Sequence, residues 1–226
     1  MVNKVLAAFV AIDGLFATMG AVMLGFSVIV LNTCFNEPTE GEEAARDLLY
    51  RTFPLTAGIV NAIFTLLIFL VTLPALSTPA RGWLKFAGYL IVADAIFTLI
   101  IGLDLWIITL RTKEVFHDIW IAQPAAIQDL LQTEFQCCGF FNSTSPAFVT
   151  DATCPSPAAA ALLKGCSTPL TSFGNIFIDN IFTAVFGMVG IDVALIMATA
   201  CLLKDRKERE RFRYIDEKAG IRGSTF

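Results

Sequence analysis

The sequence predicts an all-α membrane protein: a four-transmembrane-helix bundle with one small and one large extracellular loop. Of the 226 residues, 56% are hydrophobic and 16% are charged, and the mean hydropathy is +0.69. Soluble domains usually carry about 25% charged residues, so a lipid bilayer is the solvent that suits this composition. Four cysteines fall in the longest polar gap, which predicts a large loop that is disulfide-stapled and partly helical.

Four apolar segments each exceed the roughly 20 residues that a helix needs to cross a hydrocarbon core about 30 Å thick. They divide the chain into a cytoplasmic N-terminus with transmembrane helix 1 (1–31), a small extracellular loop (32–52), transmembrane helix 2 (53–76), an inner turn (77–83), transmembrane helix 3 (84–110), a large extracellular loop (111–175), transmembrane helix 4 (176–203) and a cytoplasmic tail (204–226). The first apolar run is longer than the about 7–15 residues of a signal-peptide core, so we expect it to remain as an anchor.

Basic residues are distributed unequally between the two sides of the predicted membrane. Lys4, Arg81, Lys85 and the eight basic residues after Leu203 lie on one side, and five basic residues lie on the other. Because basic loops stay in the cytoplasm, both termini are expected there. The expected location is the plasma membrane, and the secretory pathway and the vacuole are the other compartments that this topology fits.

The large loop divides into a helical part and an irregular part. Apolar residues recur at three- and four-residue spacing from Val115 to Phe135, which predicts helix interrupted at Pro124. The lone histidine, His117, is expected to face solvent from this helix. After Gly139 the composition changes to that of a loop, so bridges and not a hydrophobic core are expected to hold this part. Beyond the fourth span, a mixed-charge run predicts a short solvated helix.

The cysteines of the large loop are Cys137, Cys138, Cys154 and Cys166. Four cysteines allow three pairings, and because the adjacent Cys137 and Cys138 are not expected to pair with each other, two remain open. The alternative is a set of free buried thiols or a metal site. An oxidising compartment, and the lack of histidine or CxxC spacing typical of a zinc site, favour disulfides and no metal.

The whole pattern resembles the tetraspanins. Four spans, cytoplasmic termini, a small and then a large outer loop, and Cys137-Cys138-Gly139 after a helical stretch carry this resemblance, which covers nearly the whole chain. It implies that Cys137 pairs with Cys166 and Cys138 with Cys154. The short length is most similar to the small tetraspanins of filamentous fungi, which are associated with appressorium-mediated penetration of a host.

Polar residues inside the predicted spans are the second signal. Asp13, Asp94 and Asp192 lie about 8–11 residues from the cytoplasmic ends of their helices, or roughly 12–17 Å, which predicts one layer near the midplane with Asn61 slightly higher. An ionised carboxylate there costs at least about 2.5–3.5 kcal/mol, so we expect most of them to be protonated and hydrogen-bonded between helices. The layer is interpreted as structural contact between helices; the alternatives are the floor of a sterol or other lipid cavity, and a proton or ion path.

Three further positions are candidate modification or thiol sites. Asn142 begins a glycosylation sequon, Asn142-Ser143-Thr144, on the large loop. Cys201 stands at the cytoplasmic end of the last span, where palmitoylation occurs. Cys34, at the outer end of the first span, has no evident partner.

The predicted function is that of a non-enzymatic scaffold. The resemblance implies that the large loop and the transmembrane helices bind partner membrane proteins and lipids, and for the fungal branch it implies polarised growth and an NADPH oxidase complex as a partner. The sequence carries no phosphate loop, no nucleophile elbow and one histidine, which argues against catalysis, and nothing indicates a nucleic-acid partner. The alternative is a small proton-coupled transporter or channel that uses the intramembrane aspartates.

Overall fold

The computed structural model describes residues 4–33, 38–78 and 80–218. The chain forms eight helices within these ranges: α1 (Lys4–Thr33), α2 (Gly41–Thr52), α3 (Leu55–Ser77), α4 (Arg81–Leu110), α5 (Thr112–Ala122), α6 (Ala125–Phe135), α7 (Pro157–Ala160) and α8 (Ser167–Lys218). No strand forms in the described part, where the only β-type pairs are two isolated bridges within 142–147. The all-helical prediction is confirmed.

Four of these helices are long and apolar enough to cross a membrane: α1, α3, α4 and α8. This finding is compatible with the four predicted spans, because each predicted apolar segment lies in one of these helices. The predicted break at Pro124 is also confirmed, because α5 ends at Ala122 and α6 begins at Ala125. Proline removes a backbone donor and restricts the preceding residue, which explains why the helix restarts there.

Two predicted boundaries differ from the structure. The segment predicted as the small loop contains α2, an amphipathic helix whose buried residues include Ala45, Leu48 and Leu49. The fourth span is part of a 52-residue helix that begins at Ser167 and continues to Lys218. The mixed-charge run after Leu203 is helical, as predicted, but it continues α8 because no proline or glycine between Leu203 and Lys218 ends the helix.

The chain divides into two compact units. The first comprises Met1–Gly25, Ile59–Ile100 and Phe186–Phe226, and the second comprises Phe26–Gly58 and Ile101–Val185. The first unit thus contains most of the length of the four long helices, and the second contains α2, α5, α6 and α7.

The first unit has a core built on a seven-residue period. Each long helix contributes two residues seven positions apart to one hydrophobic cluster: Phe9 and Phe16, Ile68 and Ala75, Leu84 and Ile91, Leu195 and Leu202. A period of seven is typical of helices that pack at small crossing angles with a left-handed supercoil. Of the buried polar side chains described below, Asp13 and Thr72 lie between the two cluster positions of their helices. Thr65, Asp94 and Asp192 each lie three residues outside such a pair.

The second unit packs around α2 and the bend between α5 and α6. Phe116 and Trp120 of α5 and Leu131 of α6 are buried, with 2% exposure or less. Gly41 lies against the Leu130 carbonyl and Glu134, and a Cβ atom there would overlap both. The missing side chain therefore lets α2 approach α6 closely.

The end of α8 is attached to the end of α3 through Arg206. Its Nη1 and Nη2 atoms donate to the carbonyl oxygens of Thr78 (3.0 Å) and Ala75 (2.6 Å), at the C-terminal end of α3. Terminal carbonyls have no partner within their own helix, so a guanidinium is well placed to satisfy them. Arg81 of α4 adds an ion pair with Glu210.

We expect Arg206→Gln to loosen this attachment. Hydrogen bonds from a charged group contribute about 1.5–3 kcal/mol when buried and less when partly exposed, so the amides of residues 204–212 should exchange roughly tenfold faster. Hydrogen exchange by mass spectrometry measures this. Arg213→Gln, at an exposed position of the same helix, is the control and should leave exchange unchanged; an equal effect of both variants would contradict the role of Arg206.

Candidate functional site

Two disulfides define the most constrained part of the second unit. Cys137 is bonded to Cys166 and Cys138 to Cys154. These are the two pairs that the resemblance implies. All four cysteines are buried, with 1% exposure or less. We call the part formed by Gly41–Thr52 and Thr112–Cys166 the head.

The Cys-Cys-Gly motif forms a tight turn after α6. Gln136 ends the helix in the left-handed conformation (φ 49°), and Gly139 also has a positive φ of 70°. A Cβ atom at Gly139 would overlap the Asn142 carbonyl and lie 2.9 Å from that of Pro146, so both conformation and space require glycine. The turn pairs with the chain leading into α8: the Cys166 N–H donates to the Gly139 carbonyl at 2.9 Å.

Gln132 of α6 is the polar centre of the head. It is fully buried, and its Nε2 donates to the Val149 carbonyl (2.8 Å) and to Asp151 Oδ2 (2.5 Å). Its Oε1 accepts the N–H groups of Gly139 and Val149, both at 3.2 Å. Asp151 in turn accepts the N–H of Cys154 through Oδ1. One side chain thus connects α6, the Cys-Cys-Gly turn and the irregular segment.

Bridges and not a hydrophobic core were expected to hold the irregular part, and the structure adds this hydrogen-bond network to the two bridges. Gln132 and Asp151 were not predicted from the sequence. The available signal was position, because Gln132 lies next to Leu131 and four residues after Gln128, within the apolar repeat of α6. A polar residue on such a face needs hydrogen-bond partners, and the loop supplies them.

An aromatic group lies beside the turn. Phe140 is fully buried and contacts Trp120, with ring centroids 5.7 Å apart. His117 stacks on Phe141 at 4.9 Å and lies 5.3 Å from Phe140. The expectation that His117 faces solvent was therefore wrong: the ring is half-buried, because Cys137-Cys138-Gly139 turns the two phenylalanines back onto α5.

Large apolar side chains are exposed on the irregular part of the head. Leu162 is 87% exposed, Phe141 43% and Leu163 37%. Lys164 joins them to the turn, because its carbonyl accepts the Cys138 N–H at 3.0 Å. Exposed apolar groups on a disulfide-bonded segment are typical of binding surfaces.

The head also contains a cleft of about 430 Å³ between α2 and the α5–α6 bend. Asp47 and Arg51 of α2 and Gln123 supply its polar groups, while Leu48 and Ile127 are among its apolar ones. Burial raises the pKa of the Asp47 carboxyl, and the nearby Arg51 opposes that shift.

The buried polar groups of the first unit lie at two levels, not in the one predicted layer. Asp13 accepts a hydrogen bond from Thr72 at 2.7 Å, whereas Asp94 accepts one from Thr65 at 3.1 Å. Thr65 and Thr72 are two turns apart on α3, about 10 Å along the axis. The structure thus separates Asp13 from Asp94 and associates each carboxyl with a threonine that the sequence analysis did not select.

Asp192 belongs to the level of Asp94. It lines the same small cavity as Asp94 and Thr98. Asn61 donates through Nδ2 to Thr98 Oγ1 at 2.9 Å. These side chains line a cavity of about 10 Å³, which is close to the minimum for one water and leaves no room for a sterol. This cavity is therefore too small for the sterol or other lipid of the alternative interpretation.

The candidate modification sites are accessible where the structure describes them. Asn142 is exposed, and its Oδ1 accepts hydrogen bonds from the N–H and hydroxyl of Thr144, both at 2.9 Å. Cys201 is an exposed free cysteine. It lines a groove of about 450 Å³ formed by α1 and α8. Cys34 lies outside the described residues.

Within residues 4–33, 38–78 and 80–218, no group of three or more His, Cys, Asp or Glu side chains is placed to hold a metal ion. No family model, curated protein or solved structure matches the chain.

Proposed function

We propose that this protein is a tetraspanin-like membrane scaffold that gathers partner proteins and lipids in one patch of membrane. In this proposal the four long helices cross the membrane, both termini are cytoplasmic, and the head is extracellular. The distribution of basic residues supports the orientation, since basic loops remain in the cytoplasm. The two disulfides support an oxidising compartment for the head.

The observation that carries the proposal is the head itself. Two disulfides and the Gln132 network fix a segment that exposes Phe141, Leu162 and Leu163. A rigid apolar surface loses little conformational entropy when a partner binds, so it is suited to recognise other ectodomains. The resemblance extends the proposal to polarised growth and host penetration in filamentous fungi, with an NADPH oxidase complex among the partners.

The spans supply a second place for binding. The groove between α1 and α8, with a volume of about 450 Å³, is lined by Val5, Ala8, Ile12 and Ala198, so it fits an acyl chain or a sterol face. We therefore place the bound lipid on this outer surface and not beside the aspartates. A palmitoyl chain on Cys201, at the edge of the same groove, would add to this apolar contact.

The test is proximity labelling in native membrane with the labelling enzyme fused to the cytoplasmic tail. We expect the Leu162→Ser, Leu163→Ser double variant to lose most of the partners labelled by the wild type, roughly tenfold in yield, because apolar contacts at an interface centre carry much of the binding energy. The Leu162→Met, Leu163→Met variant keeps the apolar surface and is the matched control. Both variants must reach the membrane in equal amounts.

Unchanged labelling by the serine variant would contradict the scaffold proposal. The competing function, a small proton-coupled transporter or channel, is favoured by the buried carboxyls of Asp94 and Asp192. Proton flux into proteoliposomes that disappears in Asp94→Asn would support that function instead, and flux equal to that of empty vesicles would reject it.

A further inference from the structure

Two polar atoms in the first unit face the small cavity without a hydrogen-bond partner. They are Asn61 Oδ1 and Asp192 Oδ2, and both side chains are at most 3% exposed. In Asn61, the amide Nδ2 donates to Thr98 Oγ1 and contacts Met23 Sδ at 3.9 Å. Its oxygen is therefore left as an acceptor with nothing to accept from. Buried acceptors without a donor cost about 1–3 kcal/mol each, so a ligand that satisfies both is favoured.

We infer that this cavity is a binding site for one unhydrated Na⁺ ion, held by the oxygens of Asn61, Thr65, Asp94, Thr98 and Asp192. The oxygens come from three helices: α3 supplies the amide and a hydroxyl, α4 supplies a carboxylate and a hydroxyl, and α8 supplies the second carboxylate. This inference does not depend on the scaffold function.

The donor set points to a hard cation, because each of the five polar side chains that line the cavity offers an oxygen ligand. The cavity volume points to a small and singly charged one. Mg²⁺ retains several waters and Ca²⁺ takes six to eight oxygen ligands, whereas about 10 Å³ accommodates one particle of the size of a water molecule. The walls provide no further water sites, since the other lining residues include Phe16, Met19, Met188 and Ile191.

Charge supplies the driving force. Asp94 and Asp192 line the same cavity, and both are at most 3% exposed. Two ionised carboxylates in an apolar surrounding repel each other and lose hydration, which is costly unless a cation or a proton neutralises them. A bound Na⁺ between them reduces this cost and joins α4 to α8.

The experiment uses the full-length protein in lipid nanodiscs. Thermal unfolding is followed at constant pH and ionic strength while Na⁺ replaces choline. At roughly tenfold excess over its Kd, Na⁺ is expected to raise Tm by about 3–5 °C, in a saturable way, because the ion binds the folded state alone. Retention of radioactive ²²Na⁺ by the same sample, displaced by unlabelled Na⁺ but not by K⁺, measures binding directly.

Variants locate the site. Asp94→Asn and Asp192→Asn should abolish both the Na⁺-dependent Tm shift and the retention of ²²Na⁺. Asp13→Asn is the matched control, because Asp13 is equally buried but bonds Thr72 outside the cavity, so this variant should keep the shift. Equal Tm values in Na⁺, K⁺ and choline with no retained ²²Na⁺ in the wild type would overturn the inference and leave a bound water as the occupant. A Na⁺-dependent Tm shift that the Asp94→Asn variant retains would also overturn the inference. If a variant does not fold, the wild-type measurements alone decide.

Discussion

The Cys137→Ser variant is expected to lose about 3–4 kcal/mol of stability in the head and to be retained in the secretory pathway. The Cys137–Cys166 bond closes a chain segment of 29 residues, and in the loop-entropy treatment a bridge of that length stabilises the folded state by about this amount. The bond also fixes the Cys-Cys-Gly turn against the start of α8, where the Cys166 N–H donates to the Gly139 carbonyl.

Two measurements check this prediction. Labelling of unfolded protein with a thiol reagent should find one more reactive thiol, from Cys166, and surface biotinylation should find little of the variant at the plasma membrane. Cys138→Ser should behave similarly, with Cys154 as the new thiol and a loss of about 3 kcal/mol for its 16-residue segment.

Cys201→Ser is the control, because Cys201 is exposed and forms no disulfide. It removes one thiol and should leave the head unchanged and the protein at the surface. Normal delivery of both Cys137→Ser and Cys138→Ser, with the same thiol count as the wild type, would contradict the structural role of the two bridges.

The part of the fold that could be predicted is the part determined by the length of the apolar segments. A run of more than 20 apolar residues is a strong signal, so the four long helices were found. The break at Pro124 was found because proline acts locally. The helix ends were weaker: α4 begins at Arg81 and not at 84, and α8 extends far beyond both predicted ends.

The weak helix ends explain why the aspartates were predicted in one layer. Asp13 is nine residues from Lys4 and Asp94 is thirteen from Arg81, so the real starts of α1 and α4 already separate the two carboxyls by about 6 Å. The threonines that donate hydrogen bonds to these carboxyls were not predicted, for a different reason. In a helix that is apolar on every side, hydropathy does not distinguish the inward face, and the useful signal is the seven-residue spacing of Thr65 and Thr72.

Helix α2 could not be predicted from length, because it is short and polar. Its signal is the repeat of Ala44, Ala45, Leu48 and Leu49, which is the pattern of one buried face. Such a short helix is marginal alone and depends on the surface of α6 against which it packs. The contact with α6 thus determines whether α2 forms. The sequence of α2 shows only its own side of that contact.

Gln132→Met is expected to cost about 3 kcal/mol or more of head stability with both disulfides intact. Methionine has a similar length but neither donates nor accepts strongly, so the substitution leaves the Gly139 and Val149 N–H groups and the Val149 carbonyl without partners. Each buried orphan group costs about 1–3 kcal/mol. Hydrogen exchange at residues 137–154 should become roughly a hundredfold faster, while exchange in α3 and α4 stays the same.

Two further variants separate hydrogen bonding from packing in the Gln132 network. Gln132→Glu keeps the shape and the acceptor, but it loses the donor and places a carboxylate against Asp151. We therefore expect a loss of stability that acidification reduces by protonating the introduced carboxyl. Thr133→Leu adds apolar volume at the adjacent exposed position and should change little. If Gln132→Met and Thr133→Leu exchanged at equal rates, the head would be held by its disulfides alone and the network would add nothing to its rigidity. The predicted difference between them therefore measures how far the surface formed by Phe141 and Leu162 depends on one buried amide.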